Sequence, residues 1–191
     1  MLPTKEEAFA LLKESYIMNP GPWKDHSIVT AQCAYKIAAY CPNLDETKAY
    51  LLGLLHDIGR RFGFSYLRHV LDGYLYLMSL GYEEAAKISI THSFPVKNLE
   101  MYVGEWDVTK QELTQIQNLL ESYEYDDYDR LIQVCDSIAM PNGPVDMLTR
   151  MEDVKHRYGS YPQKKWNKNL ALKDYFEDKI RMPLREVLFF S

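Results

Sequence analysis

The adjacent pair His56 and Asp57 is the strongest local sign of chemistry in this sequence. It follows the apolar run AYLLGLL and precedes Ile58, Gly59 and Arg60. Side chains of adjacent helical residues point about a quarter turn apart, so neither shields the other. Taken alone, the pair is explained equally well by a helix end that carries a histidine favoured by the helix dipole and an exposed aspartate. A functional interpretation therefore depends on which other residues join it.

Two further residues, His26 and Asp136, bring ionisable groups into apolar, helix-like segments. His26 opens HSIVTAQCAYKIA, and Asp136 lies within LIQVCDSIAM, which is almost entirely apolar. Burying a lone carboxylate costs several kcal/mol, so Asp136 must pair with a cation, accept hydrogen bonds or bind a metal. The structural alternative is that Asp136 pairs with an arginine such as Arg130 or caps a helix.

These four residues resemble, in type and order, the H…HD…D signature of the HD superfamily of metal-dependent phosphohydrolases. The flanking segments WKDHSIVTAQCAYKIA, AYLLGLLHDIGR and RLIQVCDSIAM are also similar, over roughly Trp23 to Met140. The resemblance implies that all four residues bind a divalent metal and that His56 and Asp57 are catalytic. Two imidazoles and two carboxylates suit Fe, Mn, Co, Ni, Zn or Mg. A metal held in this way activates water and neutralises charge on a phosphate.

Two more histidines bear on whether the site holds one metal or two. His69 lies four residues before Gly73, whose small size would leave room beside the imidazole, and His92 precedes a proline break. Taken singly, each is more typical of a core or capping residue than of a ligand. Their order, however, resembles HD subgroups in which two extra histidines bind a second metal and the HD aspartate bridges both. We therefore favour a dinuclear site over a mononuclear one. The implied ligands are His26, His56, Asp57 and Asp136 for the first metal and Asp57, His69 and His92 for the second.

Phosphate recognition requires donors besides a metal, and Arg60 is the first candidate. It follows Asp57 by three positions, where members of the family often carry a lysine or an arginine. We predict that Arg60 binds a substrate phosphate; the alternative is a solvated arginine near a helix end. His156 is predicted to be a surface residue. Weaker candidates for the rim or for stacking on a base are Arg61, Arg68, Lys97, Trp106, Tyr102, Tyr123, Tyr125 and Tyr128.

The resemblance implies an enzyme that hydrolyses a phosphate ester or anhydride, with a nucleotide or dinucleotide as the favoured substrate. The six ligands resemble those of bacterial HD hydrolases that cut diadenosine polyphosphates, although the interval between Asp57 and His69 is shorter than expected there, which leaves the substrate open. One alternative is an HD-fold di-iron oxygenase similar to myo-inositol oxygenase, because the ligand types are shared. Another is a non-catalytic HD domain that binds a nucleotide, although such a domain normally lacks a ligand.

The elements that must position these residues are helical almost throughout. We predict an all-α fold with one domain over residues 1–191: an HD core at about 23–140, an N-terminal helix and a C-terminal helical extension that packs on the core or serves an interface. Asp25 is a predicted N-cap, Gly59 a predicted helix end, and residues 95–107 a surface loop. The predicted helices are Lys5 to Met18, Asp25 to about Tyr40, Asp45 to Gly59, Leu67 to Leu80, Glu83 to about His92, Lys110 to Ser122, Tyr128 to Met140, Val145 to Tyr158 and Leu170 to Ile180.

Composition narrows the partners and the cellular setting. A formal net charge of -5 argues against binding a nucleic-acid polymer but not against a small anionic substrate. The three cysteines lie in apolar segments, which is typical of reduced thiols rather than disulfides. The N-terminal segment does not resemble a signal peptide, and no apolar run has the length of a membrane span. We therefore expect a cytoplasmic enzyme that acts on a small phosphorylated substrate away from membranes.

Overall fold

A computed structural model describes residues 1–189 of the protein, and most of these residues lie in helices. Two short 3-10 helices, Ile58–Phe62 and Leu99–Met101, interrupt the α-helices, and strands β1 (Ala139–Met140) and β2 (Gly143–Pro144) form a small antiparallel hairpin. The all-α prediction is therefore confirmed. The α-helices are α1 Lys5–Met18, α2 Trp23–Ala38, α3 Glu46–Leu55, α4 Arg68–Ser79, α5 Glu83–Thr91, α6 Lys110–Ser122, α7 Asp127–Asp136, α8 Met147–Tyr158, α9 Gln163–Ile180 and α10 Leu184–Phe189.

Helices α2 and α3 pack closely along their length. A Cβ atom placed on Gly53 of α3 would lie 2.8 Å from the Cα atom of Ala31 in α2, so the two backbones touch. Such an approach requires a residue without a side chain. Helix α7 packs against both helices. The start of α2 and the ends of α3 and α7 meet at one place.

Gly59 has a different role from the one predicted. Helix α3 ends at Leu55, and Gly59 lies inside the first 3-10 helix. A Cβ atom on Gly59 would lie 2.0 Å from the carbonyl oxygen of His69 and 2.4 Å from the backbone nitrogen of Gly73. Gly59 thus permits α4 to cross the 3-10 helix at contact distance. The space left by Gly73 is filled by Ser89 and the Gly59 backbone rather than by the His69 imidazole.

The C-terminal helices pack on the rest of the protein. Leu172 and Phe176 of α9 and Val187 of α10 are buried in the main apolar core, which also contains residues of α1, α2, α3 and α7. Helix α9 begins at Gln163, earlier than predicted, and α10 was not predicted. The C-terminal extension therefore packs on the core, which is one of the two arrangements that the sequence left open.

Two other local predictions were wrong, and a third was correct only in part. Helix α2 begins at Trp23 after Pro22, so Asp25 lies within the helix and is not its N-cap. Helix α7 ends at Asp136, because the chain turns there into the β1–β2 hairpin. The segment 95–107 contains a 3-10 helix and contributes to a cavity wall instead of forming only a surface loop.

Candidate metal centre

The first cluster consists of His26, His56 and Asp136. His26 lies in the first turn of α2, His56 directly follows α3, and Asp136 is the last residue of α7. The Nε2 atom of His26 lies 2.9 Å from Oδ1 of Asp136, and the Nε2 atom of His56 lies 3.9 Å from the same oxygen. Arg130, the alternative partner of Asp136, pairs with Asp127 instead. The meeting of three helix ends thus assembles the cluster.

The second cluster consists of Asp57, His69 and His92. His69 is in the first turn of α4, and His92 caps the C-terminus of α5. Oδ1 of Asp57 lies 3.1 Å from Nε2 of His69 and 3.6 Å from Nε2 of His92. The two Nε2 atoms are 3.4 Å apart. All three side chains are almost completely buried.

Asp57 belongs to both halves of the centre. Its ligand atoms lie within 4.8 Å of those of His26 and His56, and also within 4.8 Å of those of His69 and His92. The structure therefore brings together all six residues that the sequence marked as ligands. Asp57 is common to the group with His26 and His56 and the group with His69 and His92, and the number of metal ions that they bind stays a prediction.

Backbone carbonyls orient three of the imidazoles. Nδ1 of His56 lies 2.7 Å from Gly53 O, Nδ1 of His92 lies 3.1 Å from Ile88 O, and Nδ1 of His69 contacts Tyr66 O. A carbonyl accepts only from a donor, so Nδ1 carries the hydrogen in each ring. In His56 and His92, whose pKa values burial lowers, Nε2 is then left as an acceptor that faces the centre.

These residues fit a divalent metal ion. In the second cluster, the Nε2 atoms of His69 and His92 and Oδ1 of Asp57 converge to within 3.1–3.6 Å of one another. In the first cluster, the buried Nε2 of His56 has no hydrogen-bond partner among residues 1–189. Converging buried acceptors of this kind are satisfied by a cation, and nitrogen and oxygen donors suit transition metals.

The protonation states also favour metal binding. Burial lowers the pKa of His92 to about 3 and also lowers the pKa of His56. Burial acts to raise the pKa of Asp57, but the charge of Arg60 and the nearby histidines outweigh it and hold that pKa well below its usual range. The pKa of Asp136 is lowered in the same way, against the effect of burial, by the neighbouring histidines. His56 and His92 are therefore neutral and Asp57 and Asp136 ionised, as metal ligands must be.

Arg60 is held against the centre. Its Nε atom donates to Oδ2 of Asp57 at 2.6 Å, and its NH1 group donates to Ser65 O at 3.1 Å. This contact fixes the Asp57 carboxylate with Oδ1 towards the second cluster. Arg60 also lines a cavity beside the centre. Its contact with a substrate phosphate stays a prediction, in addition to its role in positioning Asp57.

The centre opens onto a cavity of about 600 Å³. This volume lies within the usual range for small-molecule sites. Five of the six residues of the centre line its wall, and His56 is the exception. Helices α8 and α9 add Arg150, Arg157 and Lys165, which sequence reasoning missed. Nothing local marks these residues, because the sequences of α8 and α9 read as ordinary charged helices. The aromatic residues of the wall are Trp23, Phe64, Tyr102, Tyr158 and Tyr161.

Most of the weaker candidates for the rim are engaged elsewhere. Arg61 pairs with Glu14 of α1, Arg68 pairs with Asp72 and Glu112, and Lys97 donates to the carbonyl of Tyr123. Among the candidates for stacking, Tyr102 reaches the cavity wall. Trp106, Tyr123, Tyr125 and Tyr128 are not part of that wall as the described residues form it. His156 is exposed, as predicted.

Comparison with known proteins identifies the class to which this fold and centre belong. The HD domain family matches residues 23–140, which is more than half of the chain. The protein therefore belongs to the HD domain family, whose members are generally metal-dependent phosphohydrolases. A search of curated proteins and a search of solved structures each gave no match. Within residues 1–189, no helix has the length and apolar character needed to cross a membrane.

Proposed function

We propose that this protein is a metal-dependent phosphohydrolase that binds two divalent transition-metal ions and cleaves a phosphate ester or anhydride of a nucleotide. One observation carries the proposal. Two groups of buried side chains, His26–His56–Asp57 and Asp57–His69–His92, share Asp57 beside a cavity that also contains arginine and lysine side chains. Acceptors suit metals, and cations suit a phosphate.

The protein's own residues supply orientation, charge and exclusion of water. Bound metal ions would activate water and withdraw charge from a phosphoryl group. The backbone carbonyls of Gly53, Tyr66 and Ile88 hold three imidazoles in the required tautomer. Arg60 orients Asp57, and burial keeps His56 and His92 neutral. Such preorganisation means that little rearrangement is needed when substrate binds.

Aromatic residues at the cavity support a nucleotide as the substrate. Phe64 is 83% exposed although it lies on the cavity wall, which is unusual for a large apolar side chain. Its ring centroid is 5.2 Å from that of Tyr66, and Tyr66 is 6.2 Å from Tyr158, which also lines the cavity. Exposed rings beside a basic cavity favour a ligand that joins a base to a phosphate.

The test is phosphate release by protein loaded in turn with Mn, Fe, Co, Ni, Zn or Mg. The substrates are nucleotides, dinucleoside polyphosphates and p-nitrophenyl phosphate. We expect Asp136→Asn to lower turnover by about 100-fold or more. The loss of a metal ligand should cost more activity than the loss of a residue that only hydrogen-bonds to a ligand. Asp25→Asn removes an exposed carboxylate from α2 and should match wild type. Retained turnover in Asp136→Asn, or substrate-dependent oxygen uptake without phosphate release, would overturn the proposal.

A further inference from the structure

Helices α8 and α9 bring cations to the cavity from outside the region that matches the HD family. The match ends at residue 140, whereas Arg150, Arg157 and Lys165 come later in the chain and line the same cavity as Asp57 and Asp136. None of the six predicted metal ligands lies in α8 or α9, so metal binding does not account for these cations. Their contacts indicate which kind of group they would bind.

Lys165 of α9 contacts the segment that directly follows the predicted ligand His92. Its Nζ atom donates to Ser93 O at 2.9 Å, and Ser93 follows His92 directly. An ammonium group has three donors, and the carbonyl of Ser93 uses one. Burial lowers the pKa of Lys165 to about 8, and the attraction of Asp136 acts against that shift. Lys165 therefore remains mostly charged at neutral pH.

Arg150 carries a buried donor that the protein does not use. Its NH1 group pairs with Asp153 at 2.9 Å, while Nε is buried and has no hydrogen-bond partner among residues 1–189. A buried donor without a partner is unfavourable, so such a group points to an acceptor supplied by a ligand or water. Arg157 also pairs with Asp153, at 2.9 Å. Arg150, Asp153 and Arg157, called the α8 cluster below, therefore keep one positive charge together.

We propose that Lys165 and Arg150 form an anion subsite that binds a phosphate of the substrate other than the one attacked at the metal centre. The inference rests on the proposed function and makes it more specific. With Asp153 neutralised by one arginine, the α8 cluster and Lys165 together offer about two positive charges, which suits a phosphate group. The enzyme should therefore prefer nucleoside diphosphates and triphosphates over nucleoside monophosphates.

The variants for the test have close matches elsewhere in the chain. Lys165→Met is compared with Lys97→Met, because Lys97 also donates from Nζ to a backbone carbonyl. Arg150→Met is compared with Arg130→Met, because each arginine pairs at 2.9 Å with an aspartate three residues away. Neither control residue belongs to the cavity wall as the described residues form it.

The first measurement is binding, by titration calorimetry, of a methylene-bridged nucleoside diphosphate analogue that cannot be hydrolysed. With metal-loaded protein, we expect Lys165→Met and Arg150→Met each to weaken binding by about 10-fold, as lost charged hydrogen bonds do. Both control variants should bind as wild type does. If Lys165→Met does not fold by circular dichroism, Lys165→Gln takes its place.

The second measurement separates the subsite from the metal chemistry. Turnover of p-nitrophenyl phosphate needs no second phosphate, so in the cavity variants kcat/KM should fall more for a nucleoside diphosphate than for p-nitrophenyl phosphate. If wild type hydrolyses no phosphate at all, the proposed function fails, and calorimetry still decides the subsite. Wild-type binding by both cavity variants, a parallel loss on both substrates, or metal loss in Lys165→Met would overturn the inference.

Discussion

The two carboxylate oxygens of Asp57 have different partners. Oδ1 faces the Nε2 atoms of His69 and His92, and Oδ2 accepts from Nε of Arg60. A buried carboxylate is unfavourable unless each oxygen has a partner. Arg60 satisfies one oxygen, and the other faces acceptors that only a cation or a proton can reconcile. Arg60, which also lines the cavity, thereby connects the second cluster to the cavity wall through Asp57.

The first prediction concerns the number of metal ions. His69→Ala combined with His92→Ala should lower the metal content from two ions per chain to one. The double variant removes two of the three side chains of the second cluster, whereas His26, His56, Asp57 and Asp136 remain. The measurement is metal content by mass spectrometry after reconstitution and removal of loosely bound ions.

The control for this prediction is His156→Ala, which removes an exposed histidine and should leave two ions in place. Two ions in the double variant would contradict the assignment of His69 and His92. A single ion in wild type would contradict the dinuclear site while leaving a mononuclear phosphohydrolase intact.

The sequence indicated the candidate ligands and Arg60 but not the cations of α8 and α9 on the same cavity wall. His56 and Asp136 stand out because ionisable residues are unusual in apolar segments. Arg150 and Lys165 lie in charged helices, where arginine and lysine are common. Their position on the cavity wall depends on how α8 and α9 cross the rest of the fold. Such long-range packing cannot be read from local sequence patterns.

At the scale of elements, the start of α4 is held by a residue distant in the sequence. The helix has no side-chain cap of its own, and the Asp107 carboxylate accepts from the backbone nitrogens of Tyr66 at 2.7 Å and Arg68 at 2.8 Å. His69 follows directly. The sequence did not indicate this contact, because Asp107 lies 39 positions from Arg68.

The second prediction tests this distant cap. Asp107→Ala should lower the free energy of unfolding by about 1 kcal/mol, as the loss of a capping side chain generally does. It should also weaken binding of the second metal more than the first, because His69 is positioned by the start of α4. Urea unfolding and stepwise metal titration measure the two effects.

The matched control is Thr4→Ala, which removes the capping side chain of α1. It should cost about the same free energy of unfolding without changing the affinity for either metal. Equal metal affinities in Asp107→Ala and wild type would show that the cap stabilises α4 without positioning His69.

At the scale of the whole molecule, burying the centre couples folding to pH. Burial lowers the pKa of His56 and His92, the latter to about 3, whereas a histidine in the unfolded chain titrates near about 6.5. Below that pH the unfolded state binds more protons than the folded state, so stability decreases as pH falls. The stabilising effect of ionised Asp57 and Asp136 is also lost at low pH, but only near the carboxylate range.

The third prediction is that metal-free protein is less stable at pH 5 than at pH 7.5. Each histidine that stays neutral in the folded state should lower the free energy of unfolding by about 1.4 kcal/mol per pH unit below about 6.5. Urea unfolding of chelator-treated protein measures the difference, and His92→Leu should reduce it because one such group is removed. Added metal should stabilise the protein at pH 7.5, since it binds the folded state. Equal or greater stability at pH 5 would mean that the buried histidines accept protons in the folded protein, contrary to their role as neutral metal ligands.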